Sequence, residues 1–205
     1  MAEVKVLIKG YHTKNKENRP KIGSTVTLIK GRNNIIVDTG SFLDKDPLID
    51  ALDREGLTPE DIPVVIITHL DLDHIVNTYL FNKAKIFCKF RGGDYPGQIH
   101  FPFEGCVERT DLLQKGLIDE DIELMLTPGH AEDMVSVIVN TPEGQVVVAG
   151  DAFPSKEWMD FTRQPSTLVT DVEKFNESRR KILDKADYII PGHGGMFKVK
   201  AYFDG

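Results

Sequence analysis

Short runs of β-branched and aliphatic residues alternate with polar segments along this chain, and the period of each run marks its element. Val4–Gly10, Ser24–Lys30 and Asn34–Val37 read as strands from their β-branched content. Asp46-Pro47 predicts a helix start, with the aspartate as cap and the proline at the first helical position. Gly56 would close that helix, and Leu48, Ile49 and Leu52 would form its apolar face. Thr58-Pro59 opens a turn or short helix that feeds a strand over Pro63–Thr68; Asp73–Phe81 reads as a helix and Ala84–Cys88 as a strand. Residues 89–120 carry no readable period. Ile122–Leu126, Met134–Asn140 and Gln145–Ala149 read as three successive strands, the last two joined by the turn Thr141-Pro142-Glu143-Gly144. Thr170-x-x-Glu173 has the form of a capping box for a helix through Leu183, with Val172, Phe175, Ile182 and Leu183 on its apolar side. Asp187–Ile190 is the last strand. Strands with helices in both halves predict an α/β fold: a four-layer αββα sandwich, two mixed sheets face to face with helices outside, as a single domain over residues 1–205.

Composition narrows the function classes. The apolar runs Val64–Ile67 and Val146–Ala149 are strand-sized and too short to span a bilayer. Met1-Ala2-Glu3-Val4 enters a strand pattern without a basic start or an apolar stretch, so the expectation is no signal peptide and a cytoplasmic location. The two cysteines, Cys88 and Cys106, have no C-x-x-C spacing and read as reduced structural residues, Cys88 buried in its strand. A formal net charge of −7 argues against a broad nucleic-acid surface while leaving room for a local basic patch.

The chemistry lies in the histidines. Four of the six fall into one pattern with three aspartates: Thr68-His69-Leu70-Asp71-Leu72-Asp73-His74, then Thr127-Pro128-Gly129-His130, Gly150-Asp151, and Pro191-Gly192-His193. Each group follows an aliphatic run, which places imidazoles and carboxylates at strand ends where loops converge. Nitrogen and oxygen donors spread over four such loops suit two divalent cations in one site. A tight strand-to-helix turn aims residues 69, 71 and 73 at one point, and His74 on the first helical turn can reach a second. His12 and His100 fit no pattern and read as ordinary solvated or hydrogen-bonded side chains.

On these motifs the chain resembles the metallo-β-lactamase superfamily, whose H-x-H-x-D-H motif is followed by separate His, Asp and His residues. The likeness covers nearly the whole chain, including Asp38-Thr39-Gly40 after an early strand, and is strongest to a compact animal type within the superfamily. It implies one metal held by His69, Asp71 and His130, a second held by Asp73, His74 and His193, and Asp151 between them. Asp38 would then be a carboxylate supporting the histidine loop, or simply a turn cap. The chain departs from the motif at Asp71, where the family has histidine. A carboxylate is a harder ligand and favours iron or manganese over a nitrogen-rich zinc site; flavodiiron members of the superfamily carry glutamate at that step. Asp71 would ligate directly, through water, or only support a ligand. Segment lengths set two branches aside. The interval from Asp151 to His193 is too short for the large insert of the β-CASP nucleases. The interval from His130 to Asp151 fits a hairpin but not the long arm of the tRNA-processing enzymes.

The expected activity is that of a metal-dependent hydrolase using a metal-bound hydroxide on an ester, thiolester, lactone or phosphodiester bond, with Asp151 or Asp73 moving the proton. The expected cofactors are two divalent ions, zinc first, with iron or manganese as alternatives. The alternative activity is a non-haem iron or di-iron redox protein acting on O₂, NO, peroxide or a thiol; a metal-bearing binding module without turnover is a third. Loops should select the substrate. Tyr11–Lys21, with Lys14, Lys16, Arg19 and Lys21, would attract an anionic small molecule, or is only a solvated hairpin tip. Tyr11, Lys14 and Trp158 are the candidate substrate contacts; Phe153, Met159, Phe161 and Phe101-Pro102-Phe103 are further candidate walls, with core packing as the alternative. No membrane partner is expected, and a homodimer is left open.

Overall fold

A computed structural model gives the fold and describes residues 1–88, 91–94, 98–100, 116–165 and 168–200. Its strands are β1 Glu3–Ile8, β2 Tyr11–Lys14, β3 Pro20–Gly23, β4 Val26–Lys30, β5 Asn34–Val37, β6 Val64–Ile66, β7 Lys85–Cys88, β8 Arg91–Asp94, β9 Gln98–His100, β10 Ile122–Leu126, β11 Val135–Thr141, β12 Gly144–Gly150, β13 Tyr188–Pro191 and β14 Phe197–Lys198. The α-helices are α1 Lys45–Arg54, α2 Leu72–Ile75 and α3 Val172–Lys185. One sheet runs β1-β4-β5-β6-β7-β8-β9 and the other β10-β11-β12-β13-β14, with β2 and β3 as a separate hairpin. Both sheets are mixed: β5, β6 and β7 run parallel, as do β12 and β13, and the remaining pairs are antiparallel.

Three apolar layers hold the sheets and helices together, and the period of two sorts residues between them. Ile29, Ile35, Val37, Val64 and Ile66 of the first sheet meet Val137, Val139, Val146, Val148 and Ile190 of the second in a central core. The alternate residues Leu28, Ile36, Val65 and Ile67 pack outward with Leu48 and Leu52 of α1. On the far side Ile138, Val147, Ala149 and Ile189 pack with Ile182 and Ala186 at α3. Helix, sheet, sheet and helix are therefore the four layers expected from the sequence, in the α/β class.

Several local expectations are corrected. Helix α1 begins at Lys45 with Asp44 at the cap position, so Asp46 and Pro47 lie inside its first turn. The Asp44 carboxylate is taken up by the Ser41 N–H and hydroxyl, both at 2.7 Å. The helix foreseen over 73–81 stops at Ile75, and a 3-10 turn follows over Thr78–Leu80. Buried Asn77 is the reason, because its side-chain amide donates to the Thr39 and Ser41 carbonyls at 2.9 and 2.8 Å and ties the segment to another loop. At α3 the cap is Asp171, which accepts from Lys174 N at 3.0 Å. Thr170 instead donates its hydroxyl to the Gly129 carbonyl, so no capping box with Glu173 forms there. Val172 is exposed and Arg179 is fully buried, contrary to the apolar stripe read from the sequence. Cys88 is half-buried rather than buried. Residues 11–23 form a paired hairpin. Cys106 and Phe101-Pro102-Phe103 lie outside the described residues. Among the described residues no helix is long and apolar enough to cross a membrane.

Candidate metal centre

Strands β5, β6, β10, β12 and β13 all deliver their carboxyl ends to one edge of the sandwich, as open α/β sheets do around a ligand. At that edge lie Asp38 after β5, the His69–His74 turn after β6, His130 after β10, Asp151 after β12 and His193 after β13. The donor atoms of His69, Asp71 and His130 lie within 4.8 Å of one another, as do those of Asp73, His74 and His193, and those of His69, His74 and Asp151. The two sets of three that the motif resemblance implies are therefore each assembled. Asp151 faces both: its carboxylate lies 3.7 Å from His130 Nε2, 3.6 Å from His74 Nε2 and 3.3 Å from His193 Nε2. Asp71 Oδ2 lies 3.4 Å from His69 Nε2 and 3.2 Å from His130 Nε2, so its shorter side chain reaches the histidine pair without an intervening group.

The backbone explains how four separate loops reach one point. His69 and His74 are fully buried. Thr39 N–H donates to the His74 carbonyl at 2.8 Å, and Val135 N–H donates to the Thr68 carbonyl at 2.9 Å, which fixes both ends of the turn. The His130 loop is pinned by α3: Thr170 and Asp171 N–H groups both donate to the Gly129 carbonyl at 2.9 Å, and the Ser178 hydroxyl donates to the Pro128 carbonyl at 2.7 Å. The His193 loop is held by His193 N–H to the Pro154 carbonyl at 2.7 Å and by Gly192 N–H to the Gly150 carbonyl at 3.0 Å.

Two glycines permit these approaches. A Cβ on Gly192 would lie 1.8 Å from Asp151 Oδ1, so any side chain there would displace the central carboxylate. Gly129 has φ +136° and its Cβ would stand 2.3 Å from the backbone N and Cα of Phe175. Gly129→Ala is expected to destabilise the fold by at least about 2 kcal/mol, from left-handed backbone strain plus overpacking against α3. Thermal or denaturant unfolding checks this; a loss within the scatter of surface substitutions would mean that the loop relaxes freely.

Asp38 supports the centre from behind. It is buried, its backbone is left-handed at φ 57°, and its Oδ1 accepts the Thr68 N–H at 2.8 Å. Its Oδ2 accepts from the Thr68 hydroxyl and from His74 Nδ1, both at 2.8 Å. The Thr68 hydroxyl also lies 3.0 Å from His69 Nδ1. With Nδ1 of both imidazoles engaged, their Nε2 atoms are turned into the cluster.

The electrostatics call for a cation. Among the described residues, His69 Nε2, His74 Nε2, Asp73 Oδ2 and Asp151 Oδ1 are buried with no hydrogen-bond partner. Leaving such atoms unsatisfied costs on the order of 1–3 kcal/mol each, and three carboxylates converge on one point. Burial works to raise the Asp151 pKa, but His193, His74 and His69 outweigh it and hold the carboxyl well below the usual range. Hydrogen bonds from His130 and His69 do the same for Asp71. Burial works to lower the His74 pKa, yet Asp38, Asp151 and Asp73 push it up to about 9. Charged carboxylates, imidazole nitrogens and unpartnered atoms in one pocket fit divalent metal ions as the missing partners.

The candidate substrate residues are placed differently. Tyr11 is half-buried, and its hydroxyl meets Ser41 Oγ at 2.9 Å and Asp44 Oδ1 at 3.2 Å. Lys14 is exposed on the hairpin. Trp158 packs edge-on against Phe175, with ring centroids 5.3 Å apart, while Phe153 and Met159 belong to the core beside α3. His12, which the sequence pattern passed over, has its ring 6.2 Å from that of His193. No periodic signal marks it, because the proximity comes from the hairpin folding over the strand ends.

A family model described as the Metallo-beta-lactamase superfamily matches residues 19–193. The Metallo-beta-lactamase domain-containing protein 1 of Xenopus laevis is 37% identical over 200 residues, covering 96% of this chain and 81% of that protein. The Rattus norvegicus form is 34% identical over 179 residues, covering 82% of this chain and 64% of its own length, so the chain spans less than two thirds of that relative. A probable metallo-hydrolase of Methanocaldococcus jannaschii is 35% identical over 162 residues, covering 79% of this chain and 71% of that protein. Among solved structures, a putative metallo-beta-lactamase from Thermotoga maritima superposes with a TM-score of 0.69 at 21% identity, covering 96% of this chain and 99% of that one.

Proposed function

The chain belongs to the metallo-β-lactamase superfamily, and on that premise we propose that it is a metal-dependent hydrolase acting on an ester, thiolester, lactone or phosphodiester bond. One observation carries the reading: two sets of two histidines and one aspartate, each with donor atoms within 4.8 Å, with Asp151 facing both. His69, Asp71 and His130 would hold one ion, Asp73, His74 and His193 the other, and zinc is the first candidate for both. When bound, two divalent cations would supply an acidified water, its pKa lowered from about 15.7 to roughly 7, and would polarise the oxygen of the bond under attack.

The chain's own residues then have distinct tasks. Asp38 and Thr68 hold the imidazoles of His74 and His69 with their Nε2 atoms forward. Asp151, central and 7% exposed, would orient the attacking water. Asp73, more open on its side chain, would accept that water's proton and hand the same proton to the leaving group as the scissile bond breaks, so that water is added across it. The hairpin bearing Tyr11 and Lys14 and the segment around Trp158 would contact the substrate, an anionic small molecule. The test is turnover by the metal-loaded protein on a panel of one neutral ester, one thiolester, one lactone and one phosphodiester, before and after chelation. Chelator-sensitive hydrolysis of at least one member supports the reading, and metal-loaded protein inert on all four would overturn it.

Asp71 favours a second reading. Two histidines and one carboxylate with open positions is also the donor set of non-haem Fe(II) proteins, and here both sets have that composition. Asp71→His would make the first set nitrogen-rich. After growth with zinc and iron together, the variant is expected to hold a higher zinc-to-iron ratio than the natural chain. An unchanged ratio would count against direct ligation by Asp71. Iron-filled natural protein with no hydrolysis but peroxide or O₂ turnover would favour the redox reading.

A further inference from the structure

The hairpin β2–β3 stands over the His193 side of the centre and presents two unlike faces. Tyr11 pairs with Gly23, His12 with Ile22, Thr13 with Lys21 and Lys14 with Pro20. Directly opposed residues of an antiparallel pair share a face, and successive residues alternate. Tyr11, Thr13 and Lys21 are therefore on one face, and Lys21 Nζ lies 5.0 Å over the Tyr11 ring there. That face is anchored, because the Tyr11 hydroxyl meets Ser41 and Asp44. The other face carries His12 and Lys14. His193 Nδ1, at 3.1 Å from the Gly23 carbonyl, fixes the hairpin's base against the centre.

His12 is thereby held 6.2 Å, ring to ring, from a candidate metal ligand. Among the described residues its ring nitrogens make no hydrogen bond, and Lys14 makes no ion pair. The two side chains leave the same face two residues apart, roughly 7 Å along a strand. An imidazole and an ammonium in line, on a braced strand that starts at the reacting centre, match a ligand with an oxyanion set back from its scissile bond.

The geometry points to His12 and Lys14 as a binding edge for a carboxylate or phosphate on the leaving-group side of the substrate. This rests on the hydrolase reading and narrows its substrate class to anionic leaving groups. His12 donates a hydrogen bond to the oxyanion while Lys14 supplies charge further out. Tyr11 anchors the opposite face through Ser41 and Asp44.

The test uses metal-loaded protein and three aryl acetates: one neutral, one with a carboxylate and one with a phosphate on the aryl leaving group. His12→Ala is expected to raise KM about tenfold for the charged esters, the factor of one lost hydrogen bond to a charged group. KM for the neutral ester, kcat and metal content should stay near those of the natural chain. His12→Gln should recover most of the loss, and Lys14→Ala should raise KM for the charged esters with a weaker dependence on salt. Arg32→Ala, which removes a charge paired with Asp119 away from the centre, controls for net charge and should have no such effect. The carboxylate and phosphate arms tell which oxyanion is preferred. Equal KM changes for neutral and charged esters, or none, would overturn the assignment. If no ester is turned over, the ester reading fails while the hairpin is still decided, by titrating the same proteins with benzoate and phenyl phosphate. Binding about tenfold weaker in His12→Ala supports the edge, and unchanged binding overturns it.

Discussion

Asp151→Ala is expected to cut turnover by about 100-fold or more and to lower metal content from about two ions per chain towards one, while leaving the fold intact. The carboxylate lies between the two histidine sets, within 3.7 Å of nitrogen atoms from both. Removing it deletes a negative charge where two cations would repel each other, and it leaves the water without its orienting acceptor. The fold should survive because Asp151 follows β12 in a turn, and that strand contributes to the central core through Val146 and Val148. Circular dichroism, metal analysis and steady-state turnover on one preparation separate the effects. A folded variant with two metals and near-normal turnover would mean that Asp151 is not between the ions.

Asp38→Asn is the second large effect, although Asp38 would touch no metal. Asparagine tolerates the left-handed backbone at φ 57° and keeps one oxygen for the Thr68 N–H. Its amide group would confront the Thr68 hydroxyl and His74 Nδ1, which now donate to a carboxylate. His74 would turn its proton-bearing nitrogen towards the centre, and metal affinity should fall about 10–100-fold, the range seen when the partner of a ligating histidine is lost. A chelator competition assay reads this directly. The metal-free protein gives an independent sign. In it the His74 pKa is raised from 6.5 to about 9, against burial and chiefly by Asp38. That pair therefore adds stability in full below about pH 6.5 and loses it as pH rises through about 9. The natural metal-free chain should lose stability across that window, and Asp38→Asn should show a flatter profile. Equal metal affinity in the two proteins would remove Asp38 from the centre's support.

Much of this could be read from residue patterns, and the exceptions have physical causes. The period-two strands and the histidine motifs are local signals. Val64 to Ile67 alternate between two apolar layers as their sequence suggests, and His69, Asp71, His130, Asp73, His74, His193 and Asp151 fall at one edge because each follows a strand end. What failed was decided by distant partners. Asn77 ends α2 early through carbonyls more than thirty residues away. Thr170 gives its hydroxyl to the Gly129 loop, which leaves Asp171 to cap α3. Arg179 is buried in a stripe that looked apolar because its guanidinium sits 3.9 Å from the Phe161 ring centroid and donates to the Asp160 carbonyl at 3.1 Å. His12 lacked a motif because only the pairing of the hairpin brings it to His193.

The central claim is that two metal sites share Asp151, each with its own pair of histidines. Metal stoichiometry of the natural chain, His69→Ala and His193→Ala, each purified and dialysed against the same dilute zinc, tests it most directly. About two ions in the natural chain are expected, and about one in each variant, with the ion of Asp73, His74 and His193 retained in His69→Ala. Full metal retention in both variants, or a natural chain that binds none, would contradict it.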